Sequence, residues 1–174
     1  VSLKANSVSL KKGLPPIVDE ETEFLVLGTM PGEQSLRQQE YYSNPGNQFW
    51  TIVSSIFNNG NRFNDYNDKI ATLKENRIGL WDVLDTCERE GSLDANINNH
   101  SINNFDNLFE KFPNIMTVIF NGQDSYGYFS SLISEMAGKK YLQLPSTSSA
   151  NTHKTVEEKI QDWKNALTKS NLQT

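Results

Sequence analysis

Cysteine is nearly absent. Cys87 is the single one in 174 residues, so no disulfide can close within the chain and no cysteine-based zinc site can be built. Histidine is almost as scarce: His100 and His153 are too few and too far apart to suggest a metal cluster. No apolar run approaches the roughly 18 residues a membrane-spanning helix needs, and the first 22 residues lack the apolar core and small-residue cleavage site of a secretory signal. These absences lead to the expectation of a cytoplasmic, monomeric protein without metal, cofactor or membrane partner. Positive charge is also in deficit, with 16 Lys and Arg against 21 Asp and Glu. Non-specific nucleic-acid binding scales with the phosphates that Lys and Arg neutralise, so this balance argues against a tight DNA wrapper. It leaves room for a locally basic rim, for which Arg37, Lys139, Lys140 and Lys154 are the candidates.

What is present is a regular alternation of elements. "EFLVLG" (residues 23–28) is a short continuous apolar run ending in glycine, the pattern of a strand buried on both faces. "IGLWDVL" (78–84), "NIMTVIFNG" (114–122) and "KYLQLP" (140–145) read as three more strands. Between and after them, helical spacing is found in "NQFWTIVSSIFN", where Phe49, Ile52, Val53 and Ile56 share a face, and in "DYNDKIATLKENR". "SINNFDNLFEKFP" reads as a short helix stopped by Pro113, and "SYGYFSSLISEMAG" as a helix with Phe129, Leu132, Ile133 and Met136 on one side, closed by Gly138. The last helix has Val156, Ile160, Trp163 and Leu167 on one stripe, and Thr155 and Glu158 stand at capping-box spacing. Strands alternating with helices predict an α/β/α sandwich around a short, mainly parallel four-stranded sheet. The expected organisation is one domain over residues 23–169, a polar and partly disordered lead-in over 1–22, and a tail over 170–174.

Ligands of such sheets bind beyond the carboxyl ends of the strands, which singles out the segments after Leu27, Leu84, Phe120 and Leu144. The first is the most unusual: "LGTMPGEQSLRQQEYYSNPGNQFW" holds some twenty residues of irregular, tyrosine-rich loop between strand and helix. "GTMPGE" matches neither the P-loop nor the dinucleotide fingerprint, and no G-x-S-x-G is present for a serine hydrolase.

The pair "LGTMPG…YYSNPGNQFW" and "LPSTSSAN" resembles the uracil-DNA glycosylase superfamily, most of all its hypoxanthine-DNA (deoxyinosine) glycosylase branch and next the mismatch-specific branch. There a Gly-x-Asn-Pro-Gly variant ends the first strand, Asn-x-Phe-Trp follows the loop, and Pro-Ser begins the last loop. The resemblance covers roughly residues 23–169. It implies a DNA-repair enzyme that hydrolyses the N-glycosidic bond of a deaminated base, hypoxanthine or uracil, turned out of DNA, with water as nucleophile. Such a base must leave the stack, enter a pocket and be read on its polar edge while stacked on an aromatic.

By its place ahead of Asn-x-Phe-Trp, Tyr42 matches the stacking aromatic; packing of the loop onto the core is the other reading. Met30 stands where many relatives carry a polar, water-handling side chain, and a thioether cannot orient or deprotonate water. The resemblance implies that an asparagine elsewhere substitutes, with Asn47 and Asn44 as candidates. Asn47 is equally a good helix N-cap, and Asn44 before Pro45 an ordinary turn residue. Asp82, or Asp85 beside it, could accept a base N–H, or simply solvate the following loop; Asn121 is a further edge-reading candidate. The last loop, with Ser146, Thr147, Ser148, Ser149, Asn151 and His153, is expected to press on the DNA backbone and fill the gap left by the extruded nucleotide, or to be a plain Ser/Thr-rich turn. A catalytically inactive nucleic-acid-binding domain of the same fold is the alternative that Met30 and the negative charge favour, and a small-molecule α/β enzyme is a third.

Overall fold

The computed structural model describes residues 9–133 and 138–168. Its centre is a four-stranded, wholly parallel sheet of β2 (Phe24–Gly28), β3 (Ile78–Asp82), β6 (Thr117–Asn121) and β7 (Lys140–Leu144), in the order β3-β2-β6-β7. β2 lies inside the sheet with both faces covered, which is why all five of its residues are buried and why its sequence is a continuous apolar run. Its side chains alternate between two cores. Phe24 and Val26 join Phe49, Ile52, Leu73 and Trp163 from the helices α2 (Phe49–Phe57), α3 (Tyr66–Glu75) and α6 (Val156–Thr168). Leu25 and Leu27 join Phe105, Leu108 and Phe129 from α4 (Phe105–Lys111) and α5 (Gln123–Ile133) on the other side. The α/β/α sandwich expected from the alternation of elements is therefore the architecture found. Asp65 caps α3 by accepting from Asp68 N, and Asn104 caps α4 by accepting from Asn107 N.

Register does most of the work of placing the site. Gly28 is level with Asp82 on β3, Leu27 with Phe120 on β6, and Asn121 with Leu144 on β7. Gly28, Asp82, Asn121 and Leu144 thus end in a row at the carboxyl edge.

Four features differ from the sequence reading. The strand expected over 78–84 ends at Asp82; β4 (Leu84–Glu88) then pairs antiparallel with β1 (Leu10–Lys12) and β5 (Asn98–Ile102) in a second, three-stranded sheet. The break falls where β2 ends: past Gly28 the chain turns away, Val83 N and Leu84 N bond to Gly28 O and Thr29 O, and the next residues find new neighbours. "NNHSI", whose last two residues were expected to open the helix that Pro113 stops, is β5. The lead-in is packed from residue 10 onward: Lys11 pairs with Cys87, Leu14 is buried, and Ile17 bridges to Leu80. The long first loop contains a short helix, α1 (Glu33–Gln38). Met136 and residues 170–174 lie outside the described residues. No helix among those described is long and apolar enough to cross a membrane.

Candidate functional site at the carboxyl edge

Over this edge opens a cavity of about 680 Å³ walled by the first loop, the β3 end, the β4–β5 connection and the β7–α6 loop. A second cavity of about 510 Å³ adjoins it and shares Thr29, Asp94, Asn121, Asp124, Ser146 and Asn151. Volumes of this order are those of small-ligand sites.

Tyr42 is held in the left-handed region, with φ 53°, a conformation uncommon for a bulky residue. Its neighbours determine this. Tyr41 is fixed by its hydroxyl donating to Pro15 O at 2.7 Å, by its N–H donating to the Tyr66 hydroxyl at 3.0 Å, and by Trp50 Nε1 donating to Tyr41 O at 2.9 Å. Those bonds aim Tyr42 the other way, onto Phe49, with ring centroids 4.1 Å apart and planes at 28°. The Tyr42 ring thus lies on the core and also lines the cavity. Burial and the nearby Asp82 raise its phenol, so it stays protonated.

A chain of amides and a hydroxyl ties the first loop, the end of β6 and the β7–α6 loop together. Asn121 Nδ2 donates to the Tyr42 hydroxyl at 3.2 Å and to Thr147 Oγ1 at 2.9 Å, while Thr147 N donates to Asn121 Oδ1 at 2.9 Å. Thr147 Oγ1 donates in turn to Asn47 Oδ1 at 2.8 Å, and Gln48 N to Thr147 O at 2.8 Å. Asn47 Oδ1 also accepts from Phe49 N at 3.0 Å, so it supports the start of α2 from one residue before the capping position, which Gln48 holds. With two donors already on that oxygen, Asn47 has its amide N–H groups to offer the cavity, not an acceptor. Asn44 is exposed, and its Oδ1 accepts from Gly46 N in a local turn. Both Asn121 N–H groups are committed within the protein.

Asp82 lies at the floor, 4% exposed, with Oδ2 lacking a hydrogen-bond partner among the described residues. Desolvation, then the charge of Asp94, lifts its carboxyl from the ordinary 3.8 to about 7, with Arg89 opposing. Gly28 is required beside it: a Cβ there would stand 2.5 Å from Asp82 Oδ1 and 3.2 Å from the Tyr42 hydroxyl. Asp94 also lines both cavities, with its carboxyl raised chiefly by desolvation.

Met30 is buried and lines the cavity. In the β7–α6 loop, Ser146, Thr147, Ser148, Ser149 and Asn151 line it too, although Thr147 is fully buried and serves the network above. His153 is exposed on the same loop and lines neither cavity. Of the cations considered for a rim, Arg37 and Lys154 reach the cavities, whereas Lys139 and Lys140 stand at the start of β7, the opposite end of the sheet.

Two buried cations went unnoticed in the sequence. Lys159, on α6, donates to Gln48 Oε1 at 2.9 Å, Asn151 O at 2.9 Å and Ser148 O at 3.3 Å, pinning the last loop to the start of α2; burial lowers its ammonium. Its spacing from Val156 and Trp163 put it on the inward stripe. Arg89 is 1% exposed beneath the β4–β5 connection, with Nε donating to Gly91 O, Nη2 to Pro31 O, and Nη1 3.6 Å from Asp94.

The chain is similar to known proteins in sequence and fold. Residues 15–168 match the family model described as the uracil DNA glycosylase superfamily. A Methanosarcina acetivorans protein named hypoxanthine DNA glycosylase is 43% identical over 142 residues, 82% of this chain and 89% of that one. A protein of the same name from Methanosarcina barkeri is 38% identical over 157 residues, 90% and 98% of the two chains. A solution NMR structure from M. acetivorans, described as a candidate uracil DNA glycosylase, superposes with a TM-score of 0.78 at 39% identity, covering 91% of this chain and 97% of that one.

Proposed function

The chain belongs to the uracil DNA glycosylase superfamily and is a DNA glycosylase for deaminated bases, and we propose that it acts on hypoxanthine first and uracil second, as a cytoplasmic monomer using water as nucleophile. The observation that carries the site assignment is the pairing of Tyr42, held against Phe49 in a left-handed conformation, with the buried, unpartnered Asp82 carboxyl across Gly28. A flipped base stacks on the tyrosine and is read on its polar edge by the carboxyl. Ionised, Asp82 accepts the N1 hydrogen of hypoxanthine or the N3 hydrogen of uracil.

The attacking water is positioned by the Asn47 amide, with Asn44 at the loop's outer side and Met30 supplying only apolar wall. The water oxygen bonds to the anomeric carbon as the bond from that carbon to the base breaks, and the proton released by the water goes to the departing base. Asn47 acts by position and dipole, not by removing a proton. Asn121 and Thr147 are positioning residues that hold Tyr42 and Asn47 in register. The hydroxyls of Ser146, Ser148 and Ser149, with Asn151 and His153, meet the DNA backbone.

The test is incubation with duplexes containing inosine or uracil, followed by alkaline cleavage of abasic sites. Cleavage at inosine, slower cleavage at uracil and none in undamaged DNA are expected. DNA binding without release of either base would mean an inactive binding domain instead.

A further inference from the structure

The carboxyl of Asp82 lines the cavity but has little around it to hold a charge. Its Oδ2 has no hydrogen-bond partner, and no lysine or arginine among the described residues forms an ion pair with it. The donors around it are spent elsewhere. Asn103 Nδ2 donates to the backbone oxygens of Asp82 and Leu84, at 2.8 and 3.2 Å, and both N–H groups of Asn121 go to Tyr42 and Thr147. Arg89 donates to Gly91 O and Pro31 O and sets Nη1 3.6 Å from Asp94, while Lys11 Nζ takes Gly91 O and Glu33. The ionisable groups that face the carboxyl are Asp94 and Arg89 from the β4–β5 connection, and Tyr41 and Tyr42 from the first loop. Of these only Arg89 favours a negative charge on Asp82, and its own bonds lie on other partners. Removing a carboxylate from water without donors is far more costly than removing the protonated acid.

We propose that Asp82 meets the extruded base in its reactive complex as a neutral carboxylic acid, its carbonyl accepting the ring N–H and its hydroxyl donating to the adjacent carbonyl oxygen of the base. Hypoxanthine offers this pair at N1–H and O6, and uracil at N3–H and O4. Ionised, the same side chain keeps only the N–H contact, because a carboxylate has no hydrogen to give and meets the carbonyl oxygen lone pair to lone pair. The difference grows along the reaction. As the glycosidic bond breaks, its electron pair passes to the base, and part of the negative charge collects on that carbonyl oxygen. A donated hydrogen bond strengthens there, whereas a carboxylate repels the departing anion. The proton stays on Asp82 throughout. A carboxylic acid kept neutral by a buried site to donate a hydrogen bond to a developing oxyanion is a known catalytic device. Burial and the charge of Asp94, which raise the carboxyl to about 7, keep the acid form populated up to neutral pH.

This deepens the glycosylase reading above and rests on it, and the experiment separates the two. We compare kcat/KM on an inosine-containing duplex from about pH 5.5 to about pH 8.5 for the wild type, Asp82→Asn and Asp82→Leu. An asparagine carries the same acceptor and donor as the neutral acid, in a form that does not titrate. The ratio of Asp82→Asn to wild type is therefore expected to stay near its low-pH value up to about 7 and then to climb, by roughly tenfold or more at about pH 8.5, as the wild type ionises. Titrations shared by the two proteins cancel in that ratio. Asp82→Leu, which removes both bonds at similar size, is expected to lose roughly tenfold or more at every pH. A ratio that is flat or falls with pH overturns the proposal, as does an Asp82→Asn protein as impaired as Asp82→Leu, because a charged carboxylate is then what the reaction needs. A wild-type protein that releases no base at any pH refutes the glycosylase reading instead, and so is a distinct result.

Discussion

Asp82 imposes a cost on folding that depends on pH, and its sign is the reverse of that for a salt-bridged aspartate. The carboxyl is 4% exposed, Oδ2 has no hydrogen-bond partner among the described residues, and burial with Asp94 nearby lifts it from 3.8 to about 7. In the unfolded chain it ionises near 3.8, so between that value and 7 the folded state holds a proton that the unfolded state has given up. Stability must therefore fall as pH rises through this window and level off above it. A difference of this size corresponds to about 4 kcal/mol at most, and to about 2 kcal/mol if solvent and relaxation halve it. Asp82→Asn removes the titration without changing the shape of the side chain. Urea unfolding of both proteins, from about pH 4 to about pH 8.5, isolates this group, because every other ionisable residue is common to the two. The stability of Asp82→Asn minus that of wild type is expected to climb by about 2 to 4 kcal/mol across that range and to flatten above roughly pH 7.5. A difference independent of pH would show that Asp82 is not a carboxyl forced to ionise in a buried place. Asp94→Asn, introduced into both proteins, should make the climb smaller and bring its plateau to lower pH, because a carboxylate that opposes ionisation of Asp82 is gone.

Three further substitutions test the walls of the site. Asn47→Ala should slow base release from inosine DNA about a hundredfold while changing DNA affinity, read by fluorescence anisotropy, only a few-fold; equal losses in both would make the residue a helix support and nothing more. Tyr42→Ala should weaken both release and binding by roughly tenfold or more, as the loss of about 1 to 3 kcal/mol of base stacking requires, and binding that is unchanged would remove it as the stacking surface. Lys159→Ala should lower stability by about 2 to 3 kcal/mol, because three partly buried acceptors lose their donor. The same variant should speed hydrogen exchange of the amides in residues 146–151, and unaltered exchange there would mean that the lysine does not hold the loop.

The central sheet was legible because its strands obey a rule that local sequence can express. A strand covered on both faces needs a continuous apolar run, and "FLVL" and "TVIF" are such runs. The second sheet obeys no such rule. β5 is "NNHSI", with four exposed residues and a left-handed Asn99, and its strand character comes from pairing with β4, not from its own side chains. The end of β3 was misplaced by two residues for a related reason. The apolar pattern of "IGLWDVL" runs on past Asp82, but the neighbouring strand ends at Gly28, and a strand without a neighbour is free to leave the sheet. Within the site, Tyr42, Asn47, Asp82 and Asn121 were identifiable from motif and strand-end position, while the bonds that divide their labour were not. Those bonds span up to 100 residues, as between Thr147 and Asn47.

An acidic protein that must engage a polyanion has a difficulty that the site itself goes some way to resolve. Arg37 and Lys154 reach the cavities, Lys159 is buried under the loop, and Lys139 and Lys140 lie at the far end of the sheet. Few phosphates can be neutralised by that set, so on this reading ground-state affinity is modest and only weakly salt-dependent. Meanwhile Asp82, Asp94 and Asp124 all line the paired cavities. Carboxylates there disfavour a resting phosphate backbone, but they favour the positive charge that builds on the sugar as the glycosidic bond breaks. On the proposed reading, stacking on Tyr42 likewise acts once the nucleotide has turned out. Favourable contacts are thereby concentrated late on the path to reaction, which is where they raise the rate and not merely the occupancy. The missing polar side chain at Met30 is consistent with this division. With water held by a neutral amide, as proposed, in a cavity whose charge suits a cationic sugar, no strong base is required at the end of the first strand.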